Sequence, residues 1–152
     1  MAQQGDRYVV DLKEPHLQWG EYRYTDTRET VKDEGYIPIP LNDARRLELV
    51  NSNATGGKDV LGKNLFRYTT CDGYCKGFLK AQGSSVGGSL YAKQFSQQGD
   101  LRAIGLWYKY IGAHVGTKIE VFWRTPEDIV LSYRQKKLMK QKCQLFYEGA
   151  FM

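Results

Sequence analysis

Apolar residues in this chain come in short runs that alternate with polar ones, and that pattern admits few folds. A period of two puts successive side chains on opposite faces of a strand, so one face can be buried and the other wet. Lys118-Ile119-Glu120-Val121-Phe122-Trp123 is the clearest strand, and residues 129–133 return after a turn at 124–128. Further strands are expected at 8–12, 65–68, 74–79 and 90–95, and another with Leu17, Trp19, Glu21 and Arg23 on one face. Tyr36-Ile37-Pro38-Ile39-Pro40 is extended, but its prolines donate no N–H and confine it to a sheet edge. Asn42 is placed to cap a short helix over 43–49. A second helix is expected between Asp100 and Gly112, with Leu101, Ile104, Tyr108 and Ile111 on one face. Gly105 costs that helix about 1 kcal/mol, and a strand through 104–108 is the competing reading. Seven or eight short strands with two short helices predict a mainly all-β fold, a small barrel or barrel-like sheet.

With 152 residues, 41% hydrophobic and 13% aromatic, the chain is long and apolar enough for one domain with its own core. We expect a single domain over 1–152 with a basic C-terminal segment, 134–152. No apolar run approaches membrane-spanning length, and no leader pattern follows Met1, so a cytoplasmic protein or a domain of one is expected. Cys71, Cys75 and Cys143 are odd in number and spread out, which reads as reduced thiols. No spacing of Cys and His points to a metal, and no motif points to a cofactor.

Catalytic signatures are absent as well. There is no Gly-x-Ser-x-Gly, no phosphate-loop lysine motif and no His-Glu-x-x-His. His16 and His114 sit in turn-like contexts. A pair of carboxylates that meet in space is not visible in sequence, so a small carboxylate-dependent enzyme stays open.

Two polar segments remain. Residues 23–32 carry Arg23, Thr25, Asp26, Thr27, Arg28, Glu29 and Lys32. Base edges in the DNA major groove ask for such a set: Arg forks onto guanine, Asp or Glu accepts from cytosine, and a Thr methyl meets the thymine methyl. A binder of phosphates alone has no use for the two acids. The second segment, 75–85, carries Lys76, Lys80, Gln82, Ser84 and Ser85. Here lysines suit phosphate or guanine, and Gln suits adenine. Solvated loops are the competing reading of both. The net charge of +5 suits a phosphate-bearing partner but is modest.

From Gly35 onward the order of parts resembles the DNA-binding pseudobarrel known from plant transcription factors as the B-three domain. Gly35-Tyr36-Ile37-Pro38 and the helix through Ala44-Arg45-Arg46-Leu47 resemble its Ile-Pro strand and following helix. Leu65-Phe66-Arg67-Tyr68 resembles its Arg-Phe-x-Tyr-like strand, and residues 108–123 its closing helix, turn and final strand. Lys118 departs from it, standing where the turn usually carries an acid. The full stretch 74–98 is more like the N-terminal effector domain of EcoRII-type restriction endonucleases, which recognise CCWGG. The resemblance implies two arms that grip the major groove, here 23–32 and 71–85. It also implies a monomeric partner of double-stranded DNA, with any nuclease domain outside this chain. An RNA-binding small-barrel module is the alternative, kept open by 11 tyrosines.

Overall fold

The computed structural model describes residues 2–17, 34–52, 59–83 and 90–135. Seven strands form one mixed sheet: β1 (Arg7–Asp11), β2 (Ile37–Pro38), β3 (Leu65–Thr70), β4 (Lys76–Gln82), β5 (Gln94–Gln97), β6 (Lys118–Thr125) and β7 (Asp128–Arg134). Their spatial order is β1-β6-β7-β3-β4-β5-β2. Neighbours are antiparallel except β3 and β7, which run parallel. The single turn α1 (Glu14–Leu17) and two short helices, α2 (Leu41–Arg46) and α3 (Ala103–Tyr110), complete the described chain. The fold is therefore an all-β pseudobarrel, with seven strands among the described residues. No described helix is long and apolar enough to cross a membrane.

The sheet curls until its two edge strands meet. Pro38 cannot donate to a ladder, so the seam is closed by side chains. Tyr8 Oη donates to the Pro38 carbonyl at 3.1 Å, and Arg46 Nη2 donates to the Arg7 carbonyl at 2.8 Å. Burial, with Tyr108 and Asp43 nearby, pushes the Tyr8 hydroxyl well above its ordinary pKa, so it remains a donor. Tyr8→Phe would leave the Pro38 carbonyl without this donor and is expected to cost about 1–3 kcal/mol. A urea midpoint equal to the parent's would show that the seam does not need this bond.

Inside the barrel, Trp123 is the hub. Its ring packs edge-on to Phe66 (5.7 Å between centroids) and tilted against Tyr8 and Phe95 (6.2 and 6.4 Å). The helices cover the two barrel ends. At one, α2 delivers Ala44 and its C-cap Leu47 to the core. At the other, α3 delivers Ile104, Trp107 and Tyr108. Arg67 points outward and ties β3 to the β6–β7 turn, with Nε 2.7 Å from Asp128 Oδ1 and Nη2 3.1 Å from Glu127 Oε1. The Arg67 guanidinium, helped by Thr125, holds the Asp128 carboxyl below the ordinary carboxylate range.

Several local expectations are corrected. The N-cap of α2 is Pro40, not Asn42; Pro40 at φ −60° and ψ 142° turns the chain out of β2, and its carbonyl accepts the Ala44 N–H at 2.9 Å. Leu17 ends a helical turn rather than starting a strand; the rest of that expected strand lies outside the described residues. Asp100 stands two residues ahead of the α3 N-cap, Arg102, and accepts its N–H at 3.0 Å. Cys71 is disulfide-bonded and Cys75 is a free thiol, which corrects the reading of three reduced thiols. Gly112, at φ 66°, follows the last residue of α3's cap as expected of a terminating glycine.

Candidate nucleic-acid interface

Register fixes which end of the barrel each segment leaves from. Asp11 faces Lys118, Lys118 faces Arg134, and Thr70 faces Leu131, so β1, β3 and β7 all finish at the end where β6 begins. The β3–β4 turn at 71–75 lies there too. So does the approach to β2, because Gly35 N donates to the Leu101 carbonyl at 3.1 Å and Tyr108 Oη donates to the Tyr36 carbonyl at 2.6 Å. This is the α3 end. At the α2 end, Gln82 faces Gln94 and the Gly83 N–H donates to Asn51 Oδ1 at 3.0 Å.

The expected contacts divide accordingly. Arg23, Thr25, Asp26, Thr27, Arg28, Glu29 and Lys32 lie outside the described residues, as do Ser84 and Ser85. The stretches that carry the 23–32 segment, ending at Leu17 and resuming at Glu34, are both rooted at the α3 end. Lys76, the first residue of β4, is at that same end and exposed. Gln82 is at the α2 end, six residues further along the strand or about 20 Å away. The single arm expected over 71–85 is thus two parts joined by β4 itself. Alternation along β4 buries Leu79 and Ala81 and turns Lys76, Phe78, Lys80 and Gln82 to the outer face.

These outward groups are not equally available. Lys80 Nζ lies 3.4 Å from Asp59 Oδ2, and both side chains are largely shielded from water. Gln82 Oε1 accepts the Ser96 hydroxyl at 2.7 Å. Lys76 carries no ion pair among the described residues.

The connection that holds 23–32 and the connection that follows β4 enter a single strand pair. The 18–36 connection leads into β2 from the α3 end, and the 83–93 connection leads into β5 from the α2 end. β2 and β5 are antiparallel neighbours, with Ile37 facing Phe95 and Pro38 facing Gln94.

At the α3 end the β3–β4 turn is fastened to the helix. Trp107 Nε1 donates to Asp72 Oδ2 at 3.0 Å, and the Tyr74 N–H donates to Asp72 Oδ1 at 2.9 Å. Tyr74 stacks on Tyr110, with 4.2 Å between centroids. Sequence reasoning missed this junction, because its partners lie some 35 residues apart in the chain. His16 Nδ1 accepts the Lys13 N–H at 2.9 Å, and burial with Lys13 nearby lowers its pKa. No protein-family model, curated protein or solved structure matches this chain.

Proposed function

We propose that this pseudobarrel binds double-stranded DNA in the major groove through two arms, as the recognition domain of a restriction endonuclease of the EcoRII type with a CCWGG-like target. On this reading cleavage belongs to a catalytic domain elsewhere in the parent protein, and the domain acts as a cytoplasmic monomer. One observation carries the proposal: the connection bearing 23–32 and the connection that follows β4 enter one antiparallel strand pair from its opposite ends, like the jaws of a wrench. The order of parts supports it as well. The Ile-Pro residues form an edge strand, a short helix follows, Arg67 lies in the next strand, and a helix precedes β6.

In this mechanism phosphate contacts set the register and side chains of 23–32 read base edges. Lys76 is assigned to phosphate, because it is exposed and close to the root of that segment. Lys80 reaches DNA only by leaving Asp59.

Selection of bound duplexes from a random pool, followed by fluorescence anisotropy, tests the reading. Affinity is expected to fall with salt with a log–log slope of about −0.9 per phosphate neutralised, and Lys76→Ala to make that slope shallower by about 0.9. Arg28→Ala is expected to weaken the selected sequence more than a random duplex. Equal weakening of all duplexes would reassign Arg28 to phosphate. Failure to select any sequence, or displacement of duplex by single-stranded RNA, would replace the DNA reading with the RNA-binding one.

A further inference from the structure

The α3 end also holds an open cleft of about 610 Å3 between the β3–β4 turn and the start of α3. That is within the range of about 300–1,000 Å3 usual for small-ligand sites. Thr69, Cys75, Lys76, Gln97 and Asp100 bring polar groups to it, and Tyr74 forms one wall. Tyr74 and its stacking partner Tyr110 are 42% and 63% exposed. Large planar rings left in water mark a surface that a flat ligand can cover.

The charged groups of the cleft are free to act. Lys76 has no ion pair among the described residues. Asp100 Oδ1 takes the Arg102 N–H, and among the described residues no hydrogen bond engages Oδ2. Asp72 accepts from Trp107 Nε1 and from the Tyr74 N–H. The Cys75 thiol is half-buried beside the Tyr68 hydroxyl, 3.4 Å away, and burial pushes its pKa up. A neutral thiol is a poor nucleophile.

We propose that this cleft binds a guanine nucleotide, with the base stacked on Tyr74, its ring edge donating to Asp100 and its phosphate on Lys76. The choice of base follows from the carboxylate, which only accepts. Guanine presents two adjacent donors, N1–H and N2–H, to one carboxylate. Uracil and thymine present one N–H between two repelling carbonyls, and adenine and cytosine place a ring acceptor beside their single amine. The site requires no duplex and does not rest on the reading of the arms.

The test is a titration of the full chain, followed by amide NMR shifts, with guanosine 5′-monophosphate, uridine 5′-monophosphate and guanosine. Guanosine 5′-monophosphate is expected to move the amides of Thr69, Gly73 and Gln97 and to bind roughly tenfold tighter than the uridine nucleotide. Asp100→Asn keeps the acceptor for Arg102 N–H and should abolish that preference. Lys76→Ala should reduce the nucleotide's affinity to that of guanosine. No shifts at millimolar nucleotide, equal binding of the two nucleotides, or an Asp100→Asn variant that still prefers guanine would each overturn the proposal. The amide spectra report whether each variant is folded. Duplex anisotropy of Asp100→Asn, expected to match the parent, separates failure here from failure of the DNA reading.

Discussion

Gly35→Ala is expected to destabilise the domain by roughly 3 kcal/mol, the upper part of the range for overpacking a close contact. A Cβ on Gly35 would stand 2.3 Å from the Gly105 nitrogen, 2.5 Å from its Cα and 3.1 Å from the Ile104 carbonyl carbon. All three are backbone atoms of α3, so no rotamer change relieves the clash. The same contact explains why a glycine occupies the middle of a helix. Gly105 gives up about 1 kcal/mol of helix propensity, and the absence of a side chain there lets the chain entering β2 lie directly on the helix. Relief has to come from β2, which pairs with β5 through only two residues. Displacing it breaks the bond from Gly35 N to Leu101 and the bond from Tyr108 to Tyr36, and it moves the root of the 23–32 segment. Urea unfolding should therefore show a lower midpoint, and duplex anisotropy a weaker complex in the fraction that remains folded. A midpoint matching the parent's would show that β2 and α3 are not packed as closely as described.

β3 and β4 were legible because each buries one face and turns the other outward, as β4 does from Leu79 to Gln82. The helix over 103–110 was legible from its period, although its buried face includes Trp107, which a search keyed to Leu101, Ile104, Tyr108 and Ile111 passed over. Trp107 is three residues after Ile104, so the same periodicity could have found it. Simple alternation fails on β6, where Glu120 and Phe122 are buried although they share a face with exposed Lys118. Glu120 is held there between Arg7 at 3.5 Å and Arg134 at 3.6 Å, partners from two different strands. The availability of the expected site lysines was likewise not legible. Lys76 and Lys80 are alike in sequence, and only the fold brings Asp59 to one and leaves the other at the barrel end. Charge composition reports which contacts are possible; neighbours distant in the chain decide which are already made inside the protein.

Trp107 offers the largest single effect, because it serves the core and the candidate site together. Its side chain is fully buried, packed edge-on to Tyr133 at 6.1 Å, and its Nε1 holds Asp72. Trp107→Ala is expected to cost about 3–5 kcal/mol, as for other buried aromatic truncations, a large part of the stability of a domain this size. Trp107→Phe separates the two roles. It retains much of the ring volume but loses the bond to Asp72, and since that carboxylate is partly exposed the expected cost is about 1.5 kcal/mol. The loss should be local. Asp72 also accepts the Tyr74 N–H, so freeing it loosens the turn and takes Tyr74 off Tyr110. Amide exchange in the Phe variant should accelerate at Gly73 and Tyr74 while Leu79 and Val121, deep in the sheet, stay protected relative to global stability. Guanine-nucleotide affinity should fall by the loss of the Tyr74 wall, and duplex affinity should change little, since Lys76 is held by the β4 ladder. Uniform acceleration across the sheet would mean that Trp107 acts only as core, and that the turn is held by something other than its bond to the helix.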